Sequence, residues 1–114
     1  MNKIIIAMLL FAAAQISSWF INNGQFIWKW VHDHPILISL LGSAPVTYAF
    51  IYATRYSAEY FDGQVWPGRF IGFGLGIISF SILTYIFLGE SITAKTAISL
   101  ILAGTLLTIQ IFWK

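Results

Sequence analysis

Between Arg69 and Glu90 the chain reads FIGFGLGIISFSILTYIFLG (70–89), without a single charge. A helix needs about 20 predominantly apolar residues to cross the hydrocarbon core of a bilayer, and this stretch has that length. Its apolar residues run continuously instead of alternating, which fits a helix and not a barrel strand. Three more uncharged stretches accompany it, at 4–28, 34–54 and 96–113. Four crossings with short connections use nearly the whole chain. The expected fold is therefore all-α, an integral membrane four-helix bundle. An even number of crossings puts both termini on the same side.

Composition agrees. Of 114 residues, 59% are hydrophobic and 9% charged, against roughly 25% charged in soluble domains. A soluble chain of this size could not cover so much apolar surface. Lipid offers no water to backbone groups, so spanning segments must satisfy their own hydrogen bonds. No room remains for a water-soluble second domain, and 1–114 is expected to be one transmembrane domain. The absence of cysteine excludes disulfides, thiol catalysis and Cys-based metal sites. A net charge of +2, scattered along the chain, is too small for a nucleic-acid reader.

The expected helices cover about 4–21, 35–54, 69–88 and 94–113. Lys3, the apolar run 4–11 and Ala12-Ala13-Ala14 also have the form of a signal peptide with a small-residue cleavage site; we read them as the first span. Asn22-Asn23-Gly24 should close it, because both residue types accept the left-handed conformation. The segment 26–31 mixes aromatics with Lys29 and suits the headgroup region. Pro35 starts the second span, which can extend in the interface to Phe61, and Pro45 should kink it. Asp62-Gly63 is a turn, Trp66-Pro67-Gly68 opens the third span, and Gly89-Glu90-Ser91 connects to the fourth. Trp113 and Lys114 anchor that last span at the interface.

Orientation rests on Lys and Arg. Lys3, Arg55, Arg69 and Lys114 fall on the side of the termini, Lys29 and Lys95 on the other. This favours termini in the cytoplasm, with the chain in a cytoplasmic (inner) membrane. The bias is shallow, so a dual orientation stays open.

Gly68, Gly72 and Gly76 lie four apart in the third span, with Gly74 between them. They make a smooth groove that lets another backbone approach, within the bundle or between subunits. Alternatively they let the helix bend or slide. Tyr48, Tyr52, Tyr56 and Tyr60 also lie four apart, on one helical face. The outer pair fits an aromatic belt. Tyr48 and Tyr52 sit deeper, where a hydroxyl needs a partner. They could line a cavity and hold a cationic or aromatic solute by their ring faces.

Ser18, Ser39, Ser43, Thr47, Ser81, Thr84, Thr105 and Thr108 are expected to turn inward and hold helices together. Gln15 is the largest polar group well inside a span and ranks first as a functional position. No carboxylate, histidine or basic side chain lies near a midplane, which argues against a pump that uses a buried acid. Nor is there a nucleophile–base pair or a pair of acids, so no enzyme activity and no cofactor are expected. His32-Asp33-His34 is either a weak metal or pH-sensing site or a solvated turn, and no metal is expected. Arg55 and Glu59, four apart, should form a surface ion pair.

Three segments carry a family resemblance: Gly74-Leu75-Gly76-Ile77-Ile78-Ser79, then Phe87-Leu88-Gly89-Glu90-Ser91-Ile92-Thr93, then Leu102-Ala103-Gly104-Thr105-Leu106-Leu107. Together they resemble the last two helices of the drug/metabolite transporter superfamily. In length and four-helix plan the chain is similar to the small multidrug resistance transporters. The resemblance covers the second half of the chain and is only positional in the first span. It implies a subunit that dimerises, with its first three helices around a substrate chamber and its fourth at the dimer contact. Those transporters exchange protons through a glutamate in the first helix. The comparable place here holds Gln15, which cannot titrate, and Gly72 stands about where the family has a deep aromatic residue.

The expected function is a small transporter of a polar or weakly cationic solute, acting as a homodimer in the lipid bilayer. Gln15, Trp19, Ser43, Tyr48 and Tyr52 would face the solute. Gly68, Gly72, Gly74, Gly76, Ala103 and Gly104 would serve helix packing or the dimer contact. Without a buried acid, facilitated diffusion or exchange is expected, not proton-driven export. The alternative is a non-transporting membrane subunit or assembly factor that docks to a partner through the glycine groove.

Overall fold

The structure, a computed structural model, describes residues 2–113. Lys114, expected as an anchor and as one of the cations that orient the chain, lies outside the described residues. Every regular element among the described residues is helical. The order is α1 (Lys3–Asn23), a single 3-10 turn (Gly24–Phe26), α2 (Lys29–Asp33), α3 (Pro35–Tyr60), α4 (Trp66–Leu88) and α5 (Ala94–Phe112). The helices α1, α3, α4 and α5 are long and apolar enough to cross a membrane. That marks the chain as an integral membrane protein.

Local chemistry sets the helix ends. The Asn2 side chain accepts from the Ile4 amide at 2.9 Å and caps α1. At the far end Gly24 stays right-handed, with φ −57°, so the left-handed closure expected there does not form. The chain tightens into the 3-10 turn instead. The Gly24 N–H closes on Phe20 O and the Gln25 amide donates to Asn22 O, which serves that end without a left-handed residue. Pro35 occupies the first turn of α3, and the helix continues as one element through Pro45 to Tyr60. Its 26 residues span about 39 Å at 1.5 Å each, longer than a hydrocarbon core of about 30 Å. The turn that follows holds Asp62 and Gly63 at positive φ. Pro67 lies in the first turn of α4, and Gly89, left-handed at φ 69°, closes that helix with its N–H on Tyr85 O. Thr93 caps α5.

Packing centres on α1, which lies against both α3 and α4; α5 packs on α4. Phe11 meets Gly72, Gln15 meets Gly76, and Trp19 reaches Thr84, so α1 and α4 run side by side in the same direction. Ile21 meets Gly42, Phe11 meets Phe50, and Lys3 meets Glu59, so α3 runs the opposite way along α1. The core is Ile4, Ala7, Phe11, Ala53 and Ile71. Ala7 and Ala53 are wholly buried, and their small side chains let the helix backbones come close.

Several polar groups behave differently from expectation. Thr105 and Thr108 are exposed and donate to the carbonyls of Ile101 and Gly104 in their own helix. Ser39 and Ser81 likewise donate to Ile36 O and Ile77 O. A hydroxyl that bonds back one turn needs no neighbouring helix, so these residues do not join helices. Glu59 pairs with Lys3 at 2.9 Å and not with Arg55, whose guanidinium lies 4.6 Å from the centre of the Tyr52 ring.

Candidate functional site

The seam between α1 and α4 gathers the polar chemistry of the membrane interior. Gln15 lies near the middle of α1. Its Nε2 donates to the carbonyl of Gly72 at 3.0 Å, across helices. Gly76 makes room for it: a Cβ there would stand 2.7 Å from Gln15 Cδ. The carbonyl of Gly72 is therefore shared between its own helix and an amide from another, a bond worth about 1 kcal/mol.

Two cavities meet at Gln15. The larger, about 590 Å³, is lined by Phe11, Phe50, Thr54, Gly68, Arg69 and Phe73, among others, and lies toward the start of α4. The second, about 330 Å³, is lined by Ser18, Trp19, Asn22, Asn23, Gly76 and Phe80, and lies toward the end of α1. Gln15 lines both. Its amide thus stands between a chamber that ends at Arg69 and one that ends at a pair of asparagines.

Trp19 belongs to the second cavity but is only 3% exposed. Its indole N–H donates to Thr84 Oγ1 at 2.9 Å, and its ring packs against Phe20 and Phe87. Its polar atom is already engaged, so it serves as wall more than as hydrogen-bonding handle. Ser43 and Tyr48 lie elsewhere. Both are exposed on α3, Tyr48 to 65%, and neither lines the two chambers at Gln15. Tyr48 stacks on Tyr52 with ring centres 4.9 Å apart. Arg55 covers Tyr52, so the cation at that ring comes from the chain itself. The structure thus brings Gln15 and Trp19 together and leaves Ser43, Tyr48 and Tyr52 outside their chambers.

The glycines of α4 are covered within the chain. Gly68 faces Ser57 and Phe11, Gly72 faces Phe11, and Gly76 faces Gln15. Gly74 points the other way, onto Leu107 and Ala103 of α5. Among the described glycines that lie within helices, Gly104 on α5 alone has open space beside it. Thr54 and Ser57 were not singled out by sequence reasoning as site residues, and Arg69 entered it only as an orienting cation or, with Glu59 and Asp62, as a gate at a membrane entrance. The signal was present in part: Thr54 and Ser57 lie three apart on one face of α3, and Arg69 stands beside Gly68 in the first turn of α4. Among the described residues no group of His, Asp or Glu could hold a metal ion. His34 stacks on Trp30 and bonds its carbonyl, while His32 meets Asp33.

Compared with models of known families, with curated proteins and with solved structures, the chain matches none.

Proposed function

We propose that the chain is a small membrane transporter that holds a polar solute at Gln15, in the chambers between α1, α3 and α4. The observation that carries this reading is the position of Gln15, which lines two cavities extending in opposite directions along the seam. In this reading a solute passing from one chamber to the other meets its amide. No carboxylate lines either chamber, which supports facilitated diffusion or exchange over proton-driven export. In this reading the chain has a small multidrug resistance-like plan, a four-helix bundle with both termini on the cytoplasmic side of the inner membrane.

The chain acts as a homodimer in this proposal. Gly104, with open space beside it, supports a close contact through α5. Docking to a different protein through the glycine groove finds less support, because α1 already fills that groove with Phe11 and Gln15.

The test is solute uptake into proteoliposomes across a panel of small polar solutes, with Gln15→Ala beside the natural chain. Uptake should fall to the level of empty liposomes in Gln15→Ala while the helix content and melting profile persist. Unchanged uptake would remove Gln15 from the pathway. Native mass spectrometry of protein released gently from its own membrane should show two copies of the chain.

A further inference from the structure

The larger chamber has one electrostatic sign. Among its lining residues Arg69 alone is charged. Among the described residues the ion pairs are Lys3–Glu59 and His32–Asp33, so Arg69 has no carboxylate partner there. Nearby acids are otherwise engaged or outside: Glu59 is held by Lys3, and Asp62 is exposed in the turn and does not line the chamber.

Two further features favour negative charge at the same end. The amides opening α4 receive no side-chain cap, and the start of a helix carries partial positive charge. Ser57 Oγ is aimed at that turn: a Cβ on Gly68 would stand 2.7 Å from it. Ser57 is 1% exposed, and its hydroxyl has no hydrogen-bond partner among the described residues. One turn back, Thr54 lines the chamber, whereas Ser57 does not line it and stands behind Gly68. The remaining walls are apolar, chiefly Phe11, Phe50 and Phe73.

From this juxtaposition we infer that the larger chamber takes an amphiphilic anion, its charged head at Arg69 and the first turn of α4, its apolar body among the phenylalanines. The inference rests on the transport reading and names its solute class. It departs from a cationic solute held by tyrosine faces, since Tyr48 lies outside the chamber and the Tyr52 ring already carries Arg55. A volume of about 590 Å³ suits a small organic ligand.

Three probes of one skeleton and different charge test it: phenylpropionate, phenylpropanol and phenylpropylamine. Their binding is measured by equilibrium dialysis against the full chain in phosphatidylcholine nanodiscs, corrected with empty nanodiscs. The carboxylate should bind about tenfold tighter than the alcohol, a ratio that one charge-assisted hydrogen bond supports, and tighter than the amine. Arg69→Gln should abolish the advantage and Arg69→Lys should keep most of it. Lys95→Gln, the same loss of charge at the start of α5, should leave it intact. Arg69 is exposed, so its replacement should spare the packing, and a melting curve for each variant verifies this.

An amine bound tighter than the carboxylate, or an advantage that survives Arg69→Gln, would overturn the inference and leave the chamber as a solute site. Failure of all three probes to bind would overturn the inference, and the uptake panel with Gln15→Ala would then decide the transport reading separately. Repeating the titration with phosphatidylglycerol in the nanodiscs separates two sources of the anion. Loss of phenylpropionate binding would identify the head as that of a lipid, and undiminished binding would identify a free solute. Either result supports an anion at Arg69.

Discussion

The α1–α4 seam and the outer faces of α3 and α5 contain similar residue types and use them in opposite ways. In the seam, polar groups reach across helices: Gln15 to Gly72 O and Trp19 to Thr84 Oγ1. On the outer faces, Ser39, Ser99, Thr105 and Thr108 turn back on their own helices. Glycine shows the same division. Gly76 and Gly74 lie under a neighbouring helix, and Gly104 has nothing beside it. A hydroxyl or a glycine in a membrane helix is therefore neutral about location. What distinguishes the seam is a long polar side chain, the Gln15 amide or the Trp19 indole, that finds its acceptor on the neighbouring helix.

The largest expected contrast is between glycines. Gly76→Val would press on Gln15 and Gly74→Val on Leu107. Each should cost about 1–3 kcal/mol, as overpacking does, read as a lower unfolding midpoint in detergent. Gly104→Val should leave the midpoint of the single subunit unchanged and weaken the dimer, seen as a shift in native mass. Equal losses at all three positions would erase the distinction between seam and outer face.

A smaller contrast concerns aromatic residues. Trp19→Phe strands Thr84 Oγ1 and should cost about 1 kcal/mol. In a double-mutant cycle with Thr84→Val the coupling should be about 0.6 kcal/mol, as for other hydrogen bonds between membrane helices. Tyr48→Phe, on the exposed face of α3, should stay within about 0.5 kcal/mol of the natural chain. The smallest effect belongs to Lys3–Glu59, whose side chains are 55% and 43% exposed. Glu59→Gln should cost at most about 0.5 kcal/mol, and raised salt should remove even that difference.

The spans were legible because charge is so costly in lipid that its placement alone divides the chain. Gln15 was legible for a related reason, as a large amide inside an apolar run. The face of α3 was not. Four-residue spacing shows that the tyrosines share a face but not which way that face turns. The structure decides it by small residues: Gly42, Ala53 and Ser57 pack inward on α1 or α4, Tyr48 is left outward, and the stripe drifts until Tyr56 and Tyr60 pack against the core. The chamber was hidden as well. Phe11, Phe50 and Phe73 are three of ten phenylalanines, and only the tertiary pairing of α1 with both α3 and α4 brings them around Thr54 and Arg69. The pairing of Lys3 with Glu59 likewise depends on the antiparallel course of α3 along α1, and local spacing favoured Arg55.

The most direct test of a wet path through the seam exploits the absence of cysteine from the chain. Single cysteines placed at Thr54 and Ser18, one in each chamber, and at Ser43 on the outer face of α3, are exposed in native membranes to a water-soluble methanethiosulfonate. The thiolate that reacts forms in water and not in lipid. Labelling at Thr54 and Ser18, with Ser43 protected, is the predicted result. Labelling at Ser43 with silence at both chamber positions would contradict the account.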